Sequence, residues 1–269
     1  MATASAAVEK IVIAADVRWE AYAALVRELG DHSRLHVAYS EGTLEIMSPS
    51  AEHESLSRLV DVLIAELSVQ WEIDVEAYGS TTLELPTVSK GAEPDSCYYV
   101  QRASTMRGRL TIDLLHDPAP DVVLEVDLTS SRIAKNAIYD AMRVPEIWRH
   151  DGNTLRPRLR TESGYVASER SLAFPGLSFD EIDRHIAMAK TDGRRAALIS
   201  CNRGARSEQT ARDTIGPRSF VRSRPNLVSD EEFLRSRAAW QSPTSLTTFL
   251  EPNTMQSRTR STRAYATSW

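Results

Sequence analysis

Between residues 19 and 29 the hydrophobic positions Trp19, Tyr22, Ala23, Leu25, Val26 and Leu29 recur three and four apart, with Asp16 before them and Gly30 after. That spacing lines one face of a helix and predicts a capped amphipathic segment. The period then falls to two. Leu35, Val37 and Tyr39 alternate with other residues, Ser40-Glu41-Gly42 supplies a turn, and Leu44 and Ile46 lead to Pro49, which together predict a β-hairpin. A second helix is expected from Pro49-Ser50. Ser50 is its cap, Glu52, His53 and Glu54 lie in its first turn, and Leu56, Leu59, Val60, Leu63, Ile64 and Leu67 form its buried face.

Shorter β-like runs follow at Asp74 to Tyr78, Thr81 to Leu85 and Asp95 to Gln101, with Lys90-Gly91 read as a break before the last. The segment PAPDVVLEVDLTSS is the most apolar strand of the chain, as a strand covered on both faces should be, and is expected to be central. A helix from about Ser131 to Met142 comes next. Strands are then expected at Pro145 to His150, Leu155 to Arg160 and Tyr165 to Ser168, with a tight turn at Asp151-Gly152, before a closing helix at Phe179 to Ala189. This order predicts a mixed α/β fold in which one central sheet is flanked by helices. Beyond residue 193 the periodicity decays, apart from one helical stretch at Asp230 to Trp240. The chain therefore reads as an extension (1–15), an α/β domain (16–193) and a low-order tail (194–269).

Charge sharpens that division. The net charge is −5 overall. From Arg194 onward there are 13 arginines, no lysine and 6 acidic residues (+7), which leaves 19 basic and 31 acidic residues (−12) in the body. An acidic body is a poor electrostatic match for a polyanion but suits a site that holds a divalent metal. No apolar run approaches the ~18 to 20 residues that span a bilayer, and the start lacks the basic-then-apolar pattern of a leader, so a cytoplasmic protein without a membrane partner is expected. Cys97 and Cys201 sit in no metal-binding pattern and are read as plain thiols.

The candidate chemistry gathers at the apolar strand. Hydrolysis of a phosphodiester needs a neutralised phosphate and a positioned water, and a divalent ion held by carboxylates can supply both. Asp95 stands at the mouth of one strand and Glu125 within the central one. Alternation puts Asp121, Val123, Glu125 and Asp127 on one face of that strand. Carboxylates crowded among apolar neighbours require a positive partner. A metal ion and Lys135, the only lysine between Lys90 and Lys190, are the candidates. Lys135 starts the next helix and can reach back to orient water or stabilise developing phosphorane charge. Asp121 is read as either a site acid or a turn cap, and His53 as a capping or surface histidine. Tyr22, Tyr139 and Trp148 are read as core aromatics and Arg149 as a solvated edge residue.

At MSPSAEHE, GAEPDSCYYV, PDVVLEVDLTSS, Lys135-Asn136-Ala137-Ile138-Tyr139 and VPEIWRHDG the chain resembles the Uma-two family of restriction endonucleases, within the PD-(D/E)XK superfamily, over roughly residues 16 to 190. The resemblance implies a restriction-endonuclease-like core with a central mixed β-sheet and metal-dependent cleavage of DNA. It also implies Asp95 and Glu125 as ligands of Mg2+ or Mn2+, with a helix acid, Glu52 or Glu54, as a further site residue. Asp127 is carried as a third metal ligand and Glu54 as a fourth catalytic residue beside Asp95, Glu125 and Lys135. One departure is visible: the superfamily's lysine two residues after the acid is replaced here by Asp127, with Lys135 as its displaced counterpart. The alternatives are a nuclease fold that only binds or regulates, and a hydrolase of another phosphoester. A homodimer is carried by analogy with nucleases of this size.

Overall fold

The computed structural model describes residues 10–30, 34–128 and 133–203. The strand β1 (Lys10–Ala14) pairs antiparallel with β3 (Thr43–Ser48), so the described end of the expected N-terminal extension is part of a sheet. Between them lie α1 (Trp19–Leu29) and β2 (His36–Ser40). The hairpin forms as expected, from Ser40↔Thr43 outward. Its turn residues Glu41 and Gly42 both take positive φ, 52° and 81°, matching the twist of the strands they join. α1 begins after Arg18 rather than at an Asp16 cap, and Arg18 makes no side-chain capping bond.

The helix α2 (Ala51–Gln70) is capped as expected: Ser50 Oγ accepts from the His53 amide at 3.2 Å. After β4 (Glu76–Ala77) and β5 (Leu83–Leu85), the supposed break at Lys90-Gly91 is itself a strand, β6 (Lys90–Ala92). The reason Gly91 interrupts the apolar pattern is steric. A Cβ there would stand 2.0 Å from the hydroxyl of Tyr22, a buried ring stacked on Tyr39 with centroids 5.0 Å apart. Gly91→Ala is therefore expected to cost about 1–3 kcal/mol through overpacking. Urea unfolding checks this, and an unchanged midpoint would mean that the Tyr22 ring yields freely.

The remaining elements are β7 (Ser96–Tyr99), α3 (Ala103–Met106), β8 (Val122–Val126), α4 (Lys135–Ala141), β9 (Glu146–His150), β10 (Leu155–Thr161), β11 (Gly164–Ala167) and α5 (Phe179–Thr191). The expected helix from Ser131 begins at Lys135 among the described residues; residues 129–132 lie outside them.

The single sheet expected from the sequence is in fact two. One runs β1-β3-β2-β6-β5, and the other, a mixed sheet, runs β11-β10-β9-β8-β7-β4. Among the described residues the chain passes between them three times, and the last passage, from β6 to β7, is at Glu93-Pro94-Asp95, where a proline can donate no ladder hydrogen bond. Within the mixed sheet β8 is central, antiparallel to β7 and parallel to β9, and all five of its residues are buried. Val122, Leu124 and Val126 pack with the apolar faces of α2 and α5, while Val123 packs on the other side with Ile138 and Tyr139 of α4. That alternation sets Glu125 on the α4 side.

Residues 194–203 are helical, and Ala197 and Cys201 are buried, so packing continues past residue 193. The expected helix at Asp230 to Trp240 and the rest of the tail lie outside the described residues. No helix among the described residues is long and apolar enough to cross a membrane.

Candidate active site at the seam between the sheets

Asp95 is the last residue of the crossing between sheets. Ser96 pairs with Leu124, so Asp95 lies one step beyond, beside Glu125. Its amide donates to the Leu124 carbonyl at 3.0 Å and its Oδ2 accepts from the Val126 amide at 2.5 Å, which fixes the carboxylate on the end of β8. Oδ1 faces two histidines: Nε2 of His53 at 2.7 Å and Nδ1 of His36 at 3.1 Å. All three side chains are buried. Burial alone would raise the Asp95 pKa, but the hydrogen bonds from His36 and His53 hold it well below the usual carboxylate range.

Glu125 has a different set of partners. Lys135, the first residue of α4, places Nζ 2.5 Å from Glu125 Oε2, and the Tyr139 hydroxyl, one turn later on the same helix face, donates to Oε1. Burial pushes the Glu125 carboxyl up despite the pull of Lys135. Burial pulls Lys135 down, yet Glu125 and Asp95 outweigh it and leave the amine raised. A small cleft beside these groups is lined by His36, Glu45, Glu93 and Lys135 among others.

The other expected site acids have partners of their own. Asp127 is gripped by the Arg149 guanidinium, whose other nitrogen donates to Asn136 at 2.8 Å, so it has a counter-ion of its own at the edge of the site. Glu54 turns outward to Arg58 at 3.3 Å on the exposed side of α2, and Glu52 meets Lys190 at 3.5 Å. The first turn of α2 delivers His53 to the site in place of either acid. Asp121 is a turn cap: its carboxylate accepts from the amides of Val100 and Gln101 at 2.7 and 2.8 Å and pairs with Arg102 at 2.8 Å.

Comparison with known proteins bears on what this arrangement is. Residues 19–174 match the family model Uma2, described as "Putative restriction endonuclease". The chain belongs to this family. A solved structure titled "a putative nuclease belonging to DUF820", from Anabaena variabilis ATCC 29413, is similar at 14% identity over 55% of this chain and 89% of that chain, with a TM-score of 0.38. A comparison with curated proteins gave no match.

In this Uma2 chain Asp95, Glu125 and Lys135 are drawn to one end of β8, as expected from the sequence. His36, His53, Tyr139 and Arg149 join them, though each was read as structural, capping or solvated, or was not singled out. Tyr139 carried a legible signal, since it lies four residues after Lys135 and therefore on the same helix face. His36 carried none, because its approach to Asp95 depends on how the two sheets meet.

Proposed function

We propose that the chain is a metal-dependent endonuclease that hydrolyses DNA phosphodiester bonds. The observation that carries this reading is the convergence of Asp95, Glu125 and the Lys135 amine at one end of β8, in a member of an endonuclease family. The donor set suits a hard divalent cation. Glu125 spends one lone pair of each oxygen on Lys135 and Tyr139 and keeps the others, while Asp95 sets Oδ1 against His53 and His36 and keeps a lone pair of Oδ2 beside the one given to Val126. Mg2+ or Mn2+ held there would neutralise a phosphate and make a bound water more acidic.

The chain's own groups do the remaining work. Lys135 holds a positive charge against Glu125, where it would stabilise charge growing on a phosphate or hold the attacking water. Tyr139 and Lys135 together lock the orientation of Glu125 before substrate arrives, which lowers the reorganisation needed during reaction. Incubation of the purified chain with supercoiled and linear DNA in Mg2+ or Mn2+, with and without a chelator, tests the proposal. Cleavage that persists unchanged in both Asp95→Ala and Glu125→Ala would remove the assignment.

One observation favours a second reading, a nuclease fold that binds without cutting. Glu125 and Asp127 already carry protein counter-ions in Lys135 and Arg149. Calorimetric titration separates the two, because a scaffold of that kind takes up no divalent ion in a carboxylate-dependent way.

A further inference from the structure

His36 and His53 reach Asp95 from different elements, one from the first residue of β2 and the other from the first turn of α2. Their rings meet edge to face with centroids 6.0 Å apart, and both present a nitrogen to the same oxygen, Asp95 Oδ1. One potential ligand atom from each residue lies within 4.8 Å of the others, and all three side chains are buried. The spacing is informative. Ligands bound at about 2.0–2.1 Å and at right angles around one ion stand about 3.0 Å apart, and the two nitrogens lie 3.1 and 2.7 Å from Oδ1. The other nitrogen of His36 lies 3.4 Å from Ser80 Oγ, an outer hydrogen bond of the kind that orients a ligating imidazole.

We propose that His36, His53 and Asp95 form a binding site for a first-row transition-metal ion that accepts imidazole, and that this site discriminates against Mg2+. Imidazole nitrogen is a good ligand for Zn2+, Co2+ or Fe2+, whereas Mg2+ is bound by oxygen and gives up water reluctantly. Two nitrogens and one carboxylate oxygen, with Glu125 beside them, provide three protein ligands and leave positions for water or a phosphate oxygen. The inference deepens the nuclease reading and rests on it for a role in catalysis, because Asp95 is shared. It adds two histidine nitrogens to the carboxylate oxygens of Asp95 and Glu125.

The test needs no DNA. Titration of the full chain with Co2+ should give a visible ligand-field band and saturate at one equivalent, with affinity at least about tenfold above that for Mg2+. His36→Gln and His53→Gln keep a polar group near Asp95 but lose the imidazole, and each should weaken Co2+ by about tenfold or more while moving Mg2+ less. Equal Co2+ affinity in both variants and the wild type, or equal affinity of the wild type for Co2+ and Mg2+, would overturn the site. Circular dichroism checks that the variants fold. Pulsed electron paramagnetic resonance on Mn2+-loaded wild type is independent of any variant: imidazole nitrogen coupling supports the assignment, and its absence removes it. Histidine-dependent Co2+ binding without DNA cleavage would keep this site and end the nuclease reading. DNA cleavage supported equally by Mg2+ and Mn2+ in wild type and both glutamine variants would do the reverse.

Discussion

Glu125→Gln, Lys135→Met and the double variant are each expected to reduce DNA cleavage by about 10^3-fold, with no further loss on combining them. The two side chains are one device. Lys135 is buried with its amine 2.5 Å from Glu125 Oε2, so each charge is the nearest partner of the other. A neutral amide at 125 takes the nearest counter-charge from a buried ammonium and removes an oxygen proposed to hold the metal. Methionine at 135 removes that positive charge and leaves Glu125 held by Tyr139. Additive losses, giving a double variant far below either single one, would show that the residues act independently and that Lys135 works on something other than Glu125. Urea midpoints measured alongside separate lost chemistry from lost folding, since breaking a buried pair costs about 3–5 kcal/mol on its own.

Glu146→Ala should be the most destabilising single change away from the site, by about 3–5 kcal/mol. Glu146 is fully buried on β9, and its carboxylate gathers the C-terminal part of the domain. Oε1 accepts from the Trp148 indole at 2.5 Å, and Oε2 accepts from Ser171 Oγ at 3.1 Å and from the amides of Leu172 and Ala173 at 2.8 and 3.2 Å. Alanine strands those donors inside the protein. Burial pushes the Glu146 pKa up from 4.5 to about 7, against the pull of Trp148 and the other donors. The folded protein thus keeps a proton that the unfolded chain has released. The contribution of this group to stability is complete below pH 4.5 and declines as the pH rises through about 7. In Glu146→Gln the decline across that window should disappear, and a slope identical to wild type would show that Glu146 is ionised throughout.

The elements that could be read from the chain are those whose signal is local. The hairpin at Ser40↔Thr43, the Ser50 cap and the burial of β8 all follow from residues within a few positions of one another. The same holds for Lys135, since a helix that starts just after a central strand has to direct its first turn back toward that strand. β6 was missed because Gly91 reads as a breaker when considered with its chain neighbours, whereas its actual neighbour is the Tyr22 ring. The resemblance implies a helix acid, Glu52 or Glu54, at the site, and His53 reads as a capping or surface residue. The helix, however, turns Glu54 toward Arg58 on its exposed side and His53 inward.

Spacing along the chain settles most of the helices and strands, the acidic face of β8 and the placing of Lys135 and Tyr139 on one face of α4, because periodicity encodes which way a side chain points from its own backbone. Folding in three dimensions decides that the strands form two sheets, that Asp127 and Glu54 are drawn off by arginines, and that two histidines close on Asp95. His53 and Asp95 are 42 residues apart. Contacts over such distances arise only when separately formed surfaces pack, and no short stretch of chain carries information about the surface it will meet.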